Sequence, residues 1–317
     1  MLTKMLRDLV KRMHQGPKAA SDNHGVPQNY RCGDIVIKLP PDHFLPVYQK
    51  AHKLYDRFLP HLSSCFGEGD WLVDIGANCG DTLAAMVSTN PSSSYLCIEG
   101  DDLFFDYLTS NIGTIKKKFP ATRIIPMKAL VGTNDVSGIL VGQGGTKTIR
   151  PPSAALSGDT AGPRPQTLDG ILASAPETEP LRSSIAAGQA IRLLKSDVDG
   201  YDYDVINSAE RLLDAQNVVL YFECQYGDRV QLAGYLELVR SLFDRGYDHY
   251  WIFDNFGALI LHTQQADAIE NLIHYVCNQN EGMTTRTIYY FDILACGQTM
   301  KPLIKGAISA YQASVGG

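Results

Sequence analysis

Asp74, Gly76, Gly80 and Glu99 have the types and spacing to hold a nucleoside. Residues 71–82 read WLVDIGANCGDT. An apolar strand over 71–74 ends on Asp74 and runs into the turn Gly76-Ala77-Asn78-Cys79-Gly80, after which a helix begins. Glycine permits a tight turn and lets a ligand approach the backbone closely. The helix behind such a turn offers free N–H groups. A second strand over 95–98 ends on Glu99, followed by Gly100 and Asp101. An acidic residue about 20 positions beyond a glycine turn is placed to bind ribose hydroxyls.

The type of nucleoside follows from what the turn lacks. A dinucleotide loop is G-x-G-x-x-G, and its middle glycine makes room for a pyrophosphate. Gly76 and Gly80 are spaced G-x-x-x-G, and Asn78 stands where that room would be. Asp74 adds negative charge, which is poor for phosphates and good for a cation. S-adenosylmethionine (SAM) carries no phosphate but has an ammonium and a sulfonium. Asp74 is expected at its amino-acid end and Glu99 at its ribose, with Gly76, Ala77 and Asn78 along the turn. Asp81 and Thr82 are expected either to touch the cofactor or to start the helix. Asp101 suits the positive end of the next helix, as its cap, and reach to the ribose is the other role open to it. A nicotinamide cofactor and a turn that merely joins strand to helix are the weaker readings.

The motifs VDIGANCGDT and CIEGDD, then TLD at 167–169, LLKSDVDGY at 193–201 and VVLYFE at 218–223, occur in this order. Together they resemble the FkbM family of SAM-dependent methyltransferases over roughly residues 45–295. The resemblance implies a Rossmann-like class I methyltransferase fold and O-methylation of sugar or natural-product hydroxyls. It also implies that Ala129 and Leu130, after the third core strand, sit at the adenine. Two residues depart from the family pattern: Asp199 replaces a Glu, and Ser196 replaces an apolar residue.

Methyl transfer to a hydroxyl needs the acceptor oxygen held about 3 Å from the methyl carbon, in line with the leaving sulfur. It also needs a base or a metal to take the hydroxyl proton. Asp197 closes the apolar strand IRLLKS and is the first choice. Binding the SAM ammonium, accepting the proton and ligating a divalent cation are all open to it. Glu223 ends the next strand, where five apolar residues precede it and burial without a partner would be costly. His249, in the sixth strand, is a third catalytic candidate. Asp197, Asp199 and Glu223 could offer oxygen ligands to Mg²⁺, but no spacing rule joins them, so the metal ligands stay unassigned. An N-methyltransferase and a non-catalytic SAM-binding subunit of a biosynthetic assembly are the alternatives to O-methylation.

Alternating strands and helices must position these residues. Strands are expected at 71–74, 95–98, 123–128, 191–196, 218–223, 247–253 and 287–295, with helices at 80–89, 101–112, 201–213, 230–245 and 265–278. This alternation predicts an α/β fold with a mostly parallel sheet. The resemblance makes that sheet seven-stranded with an antiparallel last strand. Ahead of it lie an N-terminal amphipathic helix and linker (1–30) and a helical lead-in (31–70), including one helix over 46–65. The methyltransferase domain spans 71–300, with insertions at 131–166 and 174–190. A hairpin is expected within 131–150, and the 151–166 loop is a candidate substrate lid or a passive loop. Residues 301–317 read as a tail.

Composition sets outer bounds. The chain has 317 residues, 44% hydrophobic and 20% charged, with a net charge of −6. That balance speaks against a general nucleic-acid binder. Seven cysteines without a C-x-x-C pair fit reduced thiols in the cytoplasm. The expected partner is a small-molecule or saccharide hydroxyl acceptor. A homo-oligomer and a peripheral membrane contact through the basic amphipathic stretch 1–15 stay open.

Overall fold

The structure is a computed structural model, and it describes residues 25–133, 139–141, 148–150, 164–215, 217–280 and 288–315. The expected N-terminal helix, and the lid loop over 151–163, lie outside the described residues.

An antiparallel hairpin of β1 (Gln28–Cys32) and β2 (Ile35–Leu39) comes first, turning at Gly33 with φ +55°. β1 begins in the stretch read as linker and ends in the lead-in. In β2, Ile35, Ile37 and Leu39 alternate inward against the core. The single helix expected over 46–65 is two short ones, α1 (Leu45–Ala51) and α2 (Phe58–Ser63). Pro60 has no N–H to donate to the carbonyl four residues back, so one helix cannot run through. The chain instead turns at Asp56, whose φ is +54°.

The core follows as β3 (Trp71–Ile75), α3 (Asp81–Thr89), β4 (Ser94–Glu99), α4 (Asp102–Lys118) and β5 (Ile124–Lys128). The expected hairpin is β6 (Ile139–Val141) with β7 (Thr148–Arg150). The 174–190 stretch is largely helical: α5 (Leu168–Ser174) leads through a 3₁₀ turn to α6 (Glu179–Ala186). Then come β8 (Ile191–Ser196), α7 (Asp202–Asn207), α8 (Glu210–Asp214), β9 (Val219–Cys224), α9 (Arg229–Asp244) and β10 (His249–Asp254). The chain closes with β11 (Leu259–Thr263), α10 (Ala266–Asn280), β12 (Phe291–Cys296) and α11 (Lys301–Val315). α11 occupies the stretch read as a tail. Its Ile304, Ala307, Ile308 and Tyr311 recur at helical spacing and are buried in the core.

The large sheet has eight strands in the order β11-β10-β12-β9-β8-β3-β4-β5. β5, β4, β3, β8 and β9 are parallel neighbours, and β12 runs antiparallel between β9 and β10. The expected seven strands are therefore present. The eighth, β11, forms a hairpin with β10 through a turn at Gly257. Every residue of β3 and β4 is buried, as a central strand covered on both faces requires. One apolar layer gathers α2, α3, α4 and α11 on one face, and a second gathers α7, α9 and α10 on the other. β4 and β8 flank β3, so the strand order reverses there. Ligands bind outside the carboxyl ends of the strands at such a point. All seven cysteines are free thiols. Among the described residues, no helix is long and apolar enough to cross a membrane.

Candidate functional site

The residues with chemistry stand in two ranks across the carboxyl edge of the sheet. Registered neighbours in a sheet point to the same face, and so do residues two apart on one strand. The first rank joins Asp74, Lys195 and Tyr221 on β3, β8 and β9. One step toward the edge, the register carries Glu99, Gly76, Asp197, Glu223 and Asp292 side by side. Four carboxylates thus face the same way. The second rank runs past the ends of β3 and β8, and the Asp197 N–H continues the ladder to the Ile75 carbonyl at 3.1 Å.

The glycine turn lets these groups approach one another. Gly76 has φ +71°, and a Cβ there would lie 1.9 Å from the Asp197 carbonyl oxygen. Asn78 also sits in the left-handed region, with φ +48°. Glu99 braces the turn, because one of its carboxylate oxygens accepts from the Asn78 N–H and the other from the Asp101 N–H, both at 2.8 Å. Burial raises the Glu99 pKa, and those two N–H groups oppose the rise. His43 secures the far side. Its Nδ1 accepts from the Leu45 N–H, which leaves Nε2 to donate to the Asn78 side chain at 3.3 Å. Asn111 of α4 ties the Cys79 carbonyl to both backbone groups of Lys38 in β2. The added hairpin thereby acts as a clamp on the turn.

A cleft opens over this edge. Gly76, Asn78, Glu99, Gly100, Ala129 and Leu130 line one end of it, and Asp197, Asp199 and Tyr201 line the other. Among the described residues, three in the lining are acidic and none is Lys, Arg or His. That lining suits a cation and gives a pyrophosphate no counter-charge.

Several expected residues lie elsewhere. Asp74 is buried and does not line the cleft; its carboxylate meets Lys195 Nζ at 2.9 Å. It is committed to Lys195, and so is not free to face an ammonium. Burial works against the Lys195 charge, but Asp74 and Asp197 outweigh it and hold the lysine protonated. Nζ also donates to the Gly76 carbonyl at 3.2 Å and stands 3.5 Å from Asp197. Ala77 is buried beneath the turn. Asp81 and Thr82 line a separate cavity with Tyr30, Gln49, Asp56 and Arg57. Asp101 caps α4, accepting from the Phe104 N–H at 3.1 Å.

His249 is corrected by strand direction. It opens β10, whereas the cleft lies where β9 and β10 end. It is fully buried at the opposite edge, 2.6 Å from the Gln298 side chain and stacked on His262. A catalytic role is closed to it. Glu223 stands at the carboxyl edge of the sheet, buried and opposite Asp292 of β12, next to the cleft-lining Asp197 in the register but outside the lining itself. Among the described residues, no three His, Cys, Asp or Glu side chains are grouped to hold a metal ion. Asp197, Asp199 and Glu223 therefore do not form the ligand set considered above.

The two departures from the family pattern have structural causes. Asp199 has φ +52°, a conformation that Asp tolerates better than most residues. The Ser196 hydroxyl donates to Asp202 Oδ1 at 2.6 Å, and the same oxygen accepts from the Val198 N–H at 3.2 Å. Tyr235 donates to the other oxygen at 3.2 Å. Asp202 thus shapes the turn that carries Asp197. Burial, led against by the Ser196 hydrogen bond and reinforced by Asp197, pushes its pKa up to about 7. A carboxyl raised on folding lends stability that is complete below about pH 4 and fades as pH rises through about 7. Asp202→Asn keeps an oxygen acceptor and loses that dependence. In urea unfolding, the variant should gain on the wild type between pH 4.5 and 8 by on the order of 3 kcal/mol. Parallel stability curves would refute the assignment.

With the geometry in hand, the relatives can be weighed. Residues 74–248, more than half of the chain, match the model of the methyltransferase FkbM domain. The chain belongs to the FkbM methyltransferase family. SAM is therefore its cofactor. No curated protein matches the sequence. Solved structures resemble it weakly. A methyltransferase FkbM from Methylobacillus flagellatus KT is 13% identical over 80% of this chain and 58% of its own, with a TM-score of 0.38. The plantazolicin methyltransferase BpumL, in complex with S-adenosylhomocysteine (SAH), is 8% identical over 80% and 88%, with a TM-score of 0.39. A precorrin-6y C5,15-methyltransferase from Geobacter metallireducens GS-15 is 11% identical over 76% and 87%, at 0.35. At these scores no functional argument rests on them.

The FkbM segment contains Glu99, Asp197 and Glu223, but several residues at the same edge lie outside it. Tyr55 and Asp56 come from the lead-in, and Tyr290 and Asp292 from β12 and the residues before it. Sequence reasoning gave the last two no role. The available signal was the one used for Glu223, a carboxylate within an apolar strand, here YYFDILAC.

Proposed function

We propose that this FkbM-family protein is an O-methyltransferase, with a sugar or natural-product hydroxyl as acceptor and Asp197 as the group that takes the hydroxyl proton. One observation carries the reading: Glu99 and Asp197 flank Gly76 in a single rank, within a cleft whose described lining residues include three acids and no basic side chain. Glu99 accepts from the ribose hydroxyls with the lone pairs its two N–H contacts leave over. Gly76 and Gly100 allow close approach, and Ala129 and Leu130 flank the adenine.

When bound, SAM supplies the methyl group: an acceptor-oxygen lone pair forms the new C–O bond as the C–S bond breaks, and neutral SAH departs. Asp197, partly open to the cleft, receives the proton from the acceptor oxygen. Lys195 holds that carboxylate in place from below. An amine acceptor fits less well. Among so many carboxylates it would keep its proton, and an ammonium has no lone pair to attack with. The free thiols support a reducing compartment, the cytoplasm.

The test is transfer from SAM carrying a ¹³C methyl group to a panel of glycosides, phenols and amines, read by NMR. The expected product signal is that of a methyl ether. Signal confined to N-methyl products would refute O-methylation, and SAM binding without transfer to any acceptor would favour a non-catalytic subunit.

A further inference from the structure

Beyond Asp197 the second rank continues to Glu223 and Asp292, which face each other across β9 and β12. Neither is used by the cofactor or by proton transfer. Glu223 is only 7% exposed, and its Oε2 has no hydrogen-bond partner among the described residues. A buried polar atom left without a partner is costly and calls for an explanation, and a ligand hydroxyl at this edge would supply the partner. Asp292 is half-buried, with the Tyr221 hydroxyl nearby. Tyr55, from the lead-in, stands beside Tyr290 and close to Asp197 and Glu223. Asp56 follows it at a left-handed backbone position. A face of Asp56 meets solvent, yet protein crowds its carboxyl, and Asp81 and Asp197 stand nearby.

We propose that Glu223 and Asp292, beside Tyr55 and Tyr290, are the pair that reads the acceptor, and that they select an uncharged, polyhydroxylated one. The proposal rests on the methyltransferase reading above and adds the residues that choose its substrate. Glu223 and Asp292, set opposite each other beside the more open Asp197, cannot both stay ionised at so short a separation. Burial first, then Asp197 and Asp199, raises Glu223 well above the usual carboxylate range. Burial, then Asp56 and Asp197, does the same for Asp292. The carboxyl in its neutral form both donates and accepts a hydrogen bond. So does a hydroxyl, and so do the tyrosines beside it. Such a wall pairs with neighbouring hydroxyls of a sugar ring and holds one of them over Asp197. A charged pair would instead favour an ammonium.

The test uses the full chain saturated with SAH and measures binding of methyl glucoside, methyl mannoside and glucosamine by saturation-transfer NMR. The neutral glycosides should bind. Glu223→Leu and Asp292→Leu should each weaken them at least tenfold, while Glu223→Gln and Asp292→Asn, whose amides also donate and accept, stay within about threefold of wild type. SAH affinity, measured by calorimetry, should change less than twofold in all four. Removing a buried carboxyl relieves repulsion, so the variants should fold. The proposal falls if neither glycoside binds, if the Leu variants bind them as wild type does, if the amide variants lose as much as the Leu variants, or if only glucosamine binds. Failure of SAH itself to bind would be a different result, sinking the methyltransferase reading and this proposal with it.

Discussion

Asp197→Asn should lower methyl transfer by about a hundredfold to ten-thousandfold, the range set by loss of a positioned general base. Asparagine has nearly the same shape but cannot take the hydroxyl proton. Asp197 is well placed for the role because its side chain is half open to the cleft while Lys195 Nζ stands 3.5 Å away. The lysine stays in place in the variant, because Asp74 and the Gly76 carbonyl still hold it. SAM affinity should therefore move only a few-fold. Single-turnover transfer of labelled methyl, using the best acceptor from the ¹³C panel, would measure the first effect and calorimetry the second. If the variant turns over as fast as wild type, Asp197 is not the proton acceptor. If it loses SAM affinity and rate in equal measure, Asp197 serves the cofactor instead.

Glu99→Ala should weaken SAM binding by about a hundredfold to a thousandfold. A hydrogen bond to a charged acceptor contributes about 1.5–3 kcal/mol, and the ribose offers two hydroxyls. The same carboxylate also braces Asn78 and Asp101, so alanine additionally frees the turn. Glu99→Gln separates the two effects. Its single carbonyl oxygen can keep one brace, but its amide nitrogen cannot accept the other. Glu99→Gln should therefore bind SAM better than Glu99→Ala and worse than wild type. Calorimetric titration of the three proteins measures this. Equal SAM affinity in all three, with stability alone reduced in the variants, would make Glu99 a brace and nothing more.

How much of the site could be read from the chain depended on the distance over which each property is set. The glycine turn, the two strands around it and Glu99 at the second strand end lie within about 30 residues. Local rules govern them: an apolar run buried on both faces, glycine where φ is positive, an acid at the edge. The same holds for Asp197 and Glu223, each closing an apolar strand. The helix break at Asp56 was missed although Pro60 signals it, and β11 and α11 were missed because short or terminal segments carry weaker patterns. Hydrophobic alternation predicts which face a side chain takes. It is silent on which end of a strand meets the ligand, and His249 went astray for that reason: β10 points its last residue, not its first, at the cleft. Asp74 went astray for another reason. Its partner comes from β8, far along the chain, and parallel pairing with β3 brings Lys195 to 2.9 Å from it. That contact turned an apparent cofactor ligand into a support for Asp197. Asp292 became part of the edge only because β12 inserts antiparallel beside β9 and sets it opposite Glu223. Local sequence carries backbone preference and burial, and these are properties of neighbours. Which charges end up side by side depends on the strand order and register of the folded sheet, where neighbours in space are strangers in sequence.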